Sequence, residues 1–176
     1  MEKIQNNEVN YIIWQNRSFR FYLGARLLLL NGQYSPCAFC SVQAIESLMK
    51  ATLVYWDKSF NPEANGHKMK GMIKTINNKA KNAKDFQCPE YFYIDNRFQS
   101  VTRYPAKDKG VGIPDSLLSD IDLVFYNLIK LVPFQFNSEL KRALSGKNKK
   151  ELNILRKNNL QITLLRKYLN VKLQKV

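Results

Sequence analysis

Proline, glycine, histidine and cysteine are scarce in this chain. Their scarcity limits the number of turns, metal sites and disulfides that the chain can form. Its 176 residues include six prolines and seven glycines, which fall mostly between positions 60 and 115. Long stretches free of both residues favour helices. The alternation of β-branched and polar residues that marks a half-buried strand is hard to find. The sequence therefore predicts an all-α protein.

Metal and disulfide chemistry have few residues available. Cys37 and Cys40 form a CxxC pair, Cys88 stands alone, and His67 is the only histidine. Two thiols at this spacing share one helix face, where they pack as small apolar groups. A zinc or redox role is the alternative. An odd number of cysteines without an export signal favours reduced thiols, and we expect no metal and no cofactor.

Long apolar runs are missing too. The longest is the four residues from 27 to 30, far short of the roughly 20 that span a membrane. The first ten residues are polar and do not resemble a secretory signal. We therefore expect a cytoplasmic protein without a membrane partner.

Acidic residues are outnumbered two to one. The chain has 28 Lys and Arg against 14 Asp and Glu, a formal charge of +14. This excess favours a polyanionic partner such as RNA, DNA or an acidic protein, because bound cations release counterions and steer encounter. The alternative is codon bias, since AT-rich genomes encode many lysines and asparagines.

Helical periodicity and stop signals indicate five helices before the last quarter of the chain. The first carries Arg17, Arg20 and Arg26 away from its apolar stripe and ends at an Asn-Gly dipeptide, and Ser35 is the expected cap of the second. Two long helices joined by a short turn form an antiparallel hairpin. The predicted helices are 7–31, 35–56, 67–84, 91–101 and 114–132.

The last part of the chain is strongly basic. From Ser138 onward, eleven Lys and Arg face two Glu. Leucine and isoleucine at near-heptad spacing predict a basic amphipathic helix after a break at Gly146, which packs on the bundle, pairs with a partner or binds RNA. We therefore divide the chain into a helical bundle, 1–135, and a basic C-terminal extension, 136–176.

The second predicted helix carries a polar stripe on an otherwise apolar surface. Gln43, Glu46 and Lys50 share one face, and Glu46 precedes Lys50 by four residues, the favourable order for an ion pair. Such a stripe is either the solvent edge of a helix or the floor of a cleft, and helix statistics favour the solvent edge.

The order of these motifs resembles the HEPN family, the "higher eukaryotes and prokaryotes nucleotide-binding" domain. The matching pieces cover roughly residues 7 to 132 and are Leu29–Tyr34, Gln43–Ala51, His67 and Arg103–Pro105. The resemblance implies an up-and-down antiparallel bundle of about five helices that forms a homodimer. Members of the family often accompany nucleotidyltransferases or belong to toxin–antitoxin and defence systems.

Many members are metal-independent RNases whose signature is an Arg, four to six variable residues and a His. Here Phe60, Asn61 and Pro62 occupy the positions that the arginine would need before His67, so the signature is absent. We expect His67 to cap or pack at a helix start. The resemblance thus predicts a nucleotide- or RNA-binding module without turnover. The alternatives are an RNase with an atypical site and a protein partner of a nucleotidyltransferase.

The resemblance places Arg103 and Tyr104 near the dimer seam. There the guanidinium offers a planar fork for phosphate and the ring a stacking face for a base. Arg97 joins the same patch, and Glu46 and Lys50 orient the arginine or line the cleft. Arg103 and Tyr104 are also the first catalytic candidates, with Arg97 and Glu46 as the alternatives to them. The structural alternative is that Arg103 simply pairs with Glu46.

Overall fold

The computed structural model describes residues 3–80, 117–133 and 139–171. These residues form helices without any strand, so the all-α prediction is confirmed for the part of the chain that is described. The predicted helix 91–101 lies outside it. The helices are α1 (Lys3–Leu30), α2 (Tyr34–Trp56), α3 (Met69–Lys79), α4 (Leu117–Ile129), α5 (Glu139–Leu144), α6 (Lys149–Arg156) and α7 (Ile162–Tyr168).

The longest two helices, α1 and α2, form the antiparallel hairpin that the sequence predicts. Gly32 makes the turn with φ +71°, a left-handed conformation that suits glycine. The Gln33 amide then donates to the Leu28 carbonyl at 2.8 Å. The expected cap at Ser35 is wrong, because α2 already begins at Tyr34 and Gln33 occupies the cap position without a side-chain bond.

The core is built around α2. Every residue from 41 to 54 is buried, and the apolar side chains of α1, α3 and α4 pack against it. A helix that is apolar around most of its circumference, as α2 is, is stable only with neighbours on all sides. By length and composition it is also the one described helix that meets the criterion for a membrane span, yet 89% of its most apolar window is buried. A buried core helix meets the same criterion.

The basic C-terminal segment forms α5 before the expected break at Gly146 and two short helices, α6 and α7, after it, so the prediction of one amphipathic helix after the break is wrong. Gly146, Asn158 and Asn170 adopt positive φ just after α5, α6 and α7, and a right-handed helix cannot continue through such residues. Asn148 then caps α6 by accepting the backbone amides of Lys150 and Glu151. The apolar side chains of these helices join the same core as α1, α2 and α4; among the most buried are Leu140, Leu144, Leu155 and Leu165.

The buried side chain of Arg26 links α1 both to α4, through an ion pair, and to the C-terminal segment, through hydrogen bonds. Arg26 donates to both carboxylate oxygens of Asp122 at 2.7 and 2.6 Å, and its remaining donors bond the backbone carbonyls of Ile154 and Lys157. Tyr22 donates to the same carboxylate at 2.5 Å. The placement of Arg26 on an outer face of its helix is therefore wrong: the side chain is fully buried.

Candidate functional site

The polar stripe on α2 is buried rather than at a solvent edge. Gln43, Glu46 and Lys50 are 5%, 3% and 4% exposed. The expectation of a solvent edge is therefore wrong, because α2 runs through the centre of the molecule and neighbouring elements cover this face. Two of the covering side chains are Trp14 of α1 and His67 of the α2–α3 loop.

Glu46 and Lys50 pair as their spacing predicts. The Lys50 Nζ lies 2.9 Å from Glu46 Oε1. The same ammonium lies 4.8 Å from the centroid of the Trp14 ring, and an aromatic ring attracts a desolvated cation. Burial of both charges is costly unless each is compensated, so the ion pair and the ring together hold Lys50 in one place.

His67 contacts the carboxylate of Glu46, which the sequence did not predict. Its Nδ1 lies 2.8 and 2.9 Å from the two oxygens of Glu46. The expectation that it caps a helix start is wrong, since Lys68 occupies the position before α3. The two contacts place one ring nitrogen of the imidazole against the Glu46 carboxylate. The imidazole side chain is 48% exposed while Glu46 is buried, so the pair reaches from the core to the surface.

Gln43 adds a polar group one turn before Glu46. Its Nε2 is buried and has no hydrogen-bond partner among the described residues. A buried donor without an acceptor costs free energy.

The cluster holds the imidazole of His67 against a buried carboxylate at the surface of the molecule. A buried carboxylate bonded to the ring nitrogen fixes the orientation of a histidine, as in many acid–base and binding sites. Exposed lysines follow His67 directly, at Lys68, Lys70 and Lys74. Lys70 and Lys74 lie four residues apart and so share one face of α3.

Two of the cysteines, Cys37 and Cys40, lie within the described ranges. No group of three or more His, Cys, Asp or Glu lies close enough there to hold a metal ion. Cys37 is buried and Cys40 half-buried, and burial raises the pKa of both thiols. Both side chains pack in the core or against it, as expected of small apolar groups. Cys88 lies outside the described residues.

Arg97, Arg103 and Tyr104, the other predicted site residues, also lie outside the described residues, as does the proposed pairing of Arg103 with Glu46. What the structure brings together is therefore Glu46, Lys50 and His67. Only Glu46 and Lys50 follow from helix spacing, because His67 comes from a loop whose path no local pattern specifies. No protein-family model, no curated protein and no solved structure matches this chain.

Proposed function

We propose that the protein is a HEPN-like module that binds RNA or a nucleotide without turning it over. In this proposal it is a homodimer in the cytoplasm, without a membrane partner, and its bundle of about five helices carries a basic C-terminal extension. It serves a nucleotidyltransferase-linked, toxin–antitoxin or defence system, with a nucleotidyltransferase as the candidate protein partner.

One observation supports the proposal most directly: the exposed lysines of α3 directly follow a histidine that is anchored to the core. Lys70 and Lys74 present two ammonium groups on one helix face, as phosphate contacts require. His67, held by Glu46, lies in the loop just before this helix and supplies a ring for hydrogen bonding or stacking on a base. The charge of the whole chain, +14, favours the same class of ligand.

Binding to single-stranded RNA at increasing salt tests the proposal. The affinity should fall steeply as salt rises, because each neutralised phosphate releases about 0.7 counterions. Lys70→Ala with Lys74→Ala should weaken binding and make the salt dependence shallower. The matched control is Lys149→Ala with Lys150→Ala, which removes the same charge from exposed positions of α6. An affinity that does not change with salt would contradict RNA binding, and equal losses in the two pairs would contradict the α3 surface.

The Glu46–His67 pair also favours a second function, a metal-independent RNase with an atypical site. A histidine whose Nδ1 is bonded to a buried carboxylate has the orientation that general acid–base catalysis uses. Incubation of labelled RNA with the protein in EDTA distinguishes the two functions. Fragments that disappear in both His67→Ala and Arg103→Ala would establish the RNase and exclude binding without turnover. Intact RNA would exclude the RNase and would be consistent with binding without turnover.

A further inference from the structure

A second surface suited to nucleic acid lies on the outer face of α1. A groove of about 640 Å³ is lined, among the described residues, by Ile13, Asn16, Arg17, Arg20 and Phe21. These positions follow each other at helical spacing, so they form one continuous stripe. The volume is within the range of pockets that hold small organic ligands, and the lining combines cations, an amide and an aromatic ring.

Arg17 is the cation of the groove that has no carboxylate bound to it. Its guanidinium lies 5.3 Å from the ring centroid of Trp14 and 5.6 Å from that of Phe21. No ion pair involves it in the described part of the chain. Two rings thus restrict the guanidinium while leaving its charge uncompensated, which prepares it for an external anion.

Arg20 is the second cation of the groove, and it is already bonded to a carboxylate of this chain. Its Nε and Nη2 donate to Glu139 at distances from 2.8 to 3.3 Å. This bond holds the pKa of Glu139 below its ordinary value. The arginine side chain is 71% exposed, so the pair is open to solvent and contributes little to stability. A phosphate entering the groove would compete with Glu139 for the same guanidinium.

Trp14 connects this groove to the Glu46 cluster. Its ring contacts the Lys50 ammonium as well as the Arg17 guanidinium. Trp14 therefore joins the exposed Arg17 to the buried Lys50 and helps to fix the position of both cations.

We propose that the α1 groove binds a nucleotide unit of single-stranded RNA, with its phosphate on Arg17 and its base on Phe21, and that Glu139 weakens this binding by occupying Arg20. The inference rests on the proposed RNA binding and adds a contact surface to it. Aromatic stacking tolerates any base, and arginine contacts the backbone, so the groove would bind without sequence preference.

The test measures the affinity of a short fluorescein-labelled oligouridylate by fluorescence anisotropy at several salt concentrations. Arg17→Ala should weaken binding about fivefold or more and make the salt dependence shallower by about 0.7, the value for one phosphate on a single strand. Phe21→Leu keeps an apolar side chain and should weaken binding without changing the salt dependence. Glu139→Gln should strengthen binding and steepen the salt dependence, because it releases Arg20.

Arg156→Ala is the matched control, since this arginine is exposed on α6 and makes no ion pair in the described ranges. Losses equal to this control in Arg17→Ala, or weaker binding in Glu139→Gln, would overturn the groove while leaving RNA binding intact. A wild-type protein that does not bind the oligonucleotide would overturn both proposals. Sedimentation gives a further check, because a dimer that Arg17→Ala dissociates would make the groove a subunit interface and overturn the inference.

Discussion

At the scale of single residues, Arg20 and Arg26 lie on the same helix and both pair with a carboxylate, but in opposite surroundings. Arg26→Ala should lower the free energy of unfolding by about 3–5 kcal/mol, because Asp122 keeps a buried charge without its partner. Arg20→Ala should have a much smaller effect, since the Arg20–Glu139 pair faces solvent. Urea unfolding of the two variants measures the difference.

The pH dependence of that difference is a second part of the same test. Burial already raises the pKa of Asp122, although Arg26 and Tyr22 act in the opposite direction. Without Arg26 the pKa rises further, and the protonated carboxyl is neutral. The loss of stability in Arg26→Ala should therefore be largest at neutral pH and shrink as the pH falls towards the raised value. A loss that is the same at every pH would contradict a charge effect.

The thiols of α2 give a residue-scale prediction with a defined sign. Because burial raises the pKa of Cys37 and Cys40, the reactive thiolate appears at a higher pH than in an ordinary cysteine. Alkylation by iodoacetamide in a Cys88→Ser background should be slower at each pH than in the urea-unfolded chain. Cys37, which is fully buried, should react more slowly than Cys40. Rapid labelling of Cys37 followed by mass spectrometry would contradict its placement.

At the scale of elements, α6 and α7 test whether the basic segment belongs to the core. Leu155 of α6 is fully buried, whereas Leu160, just after α6, is 83% exposed. Leu155→Ala should lower the free energy of unfolding by about 2–5 kcal/mol. Leu160→Ala is the matched control and should change it by no more than about 0.5 kcal/mol. Similar small effects in thermal or urea unfolding would show that the segment packs only loosely.

The long helices were predictable from the sequence because their signals are local. Periodicity and an Asn-Gly stop gave the α1–α2 hairpin, and the four-residue spacing gave the Glu46–Lys50 pair. The C-terminal segment was predicted poorly. The break at Gly146 was expected, but the apolar spacing after it suits one helix, and Asn158 with its positive φ divides that stretch into two. Asparagine at such a position carries no strong sequence signal.

The site was predictable only where its residues belong to one helix. The bond between Glu46 and His67 joins residues 21 positions apart, and the Arg26–Asp122 pair joins residues 96 apart. Their partners depend on tertiary packing, which helix periodicity does not encode. One signal was available for Arg26: a polar residue seven positions after Phe19 and four after Tyr22, both core residues, lies close to the buried face of α1.

At the scale of the whole molecule, the excess of 28 cationic over 14 anionic residues sets the sign of the salt effect on stability. Like charges repel more strongly in the compact state than in the unfolded chain. Added NaCl screens this repulsion within a Debye length of about 8 Å at physiological ionic strength. The melting temperature should therefore rise with NaCl at neutral pH, as differential scanning calorimetry can measure.

Two exposed ion pairs oppose this rise in melting temperature, and the effect of each is small. The exposed pairs Arg20–Glu139 and Lys79–Asp57 weaken in salt, but pairs that face solvent contribute little to stability. The charge-reversal variant Lys70→Glu with Lys74→Glu is the control, because it lowers the positive excess at exposed positions of α3. Its melting temperature should respond less to NaCl. A wild-type melting temperature that falls with salt would mean that ion pairs outweigh the repulsion among the cationic residues.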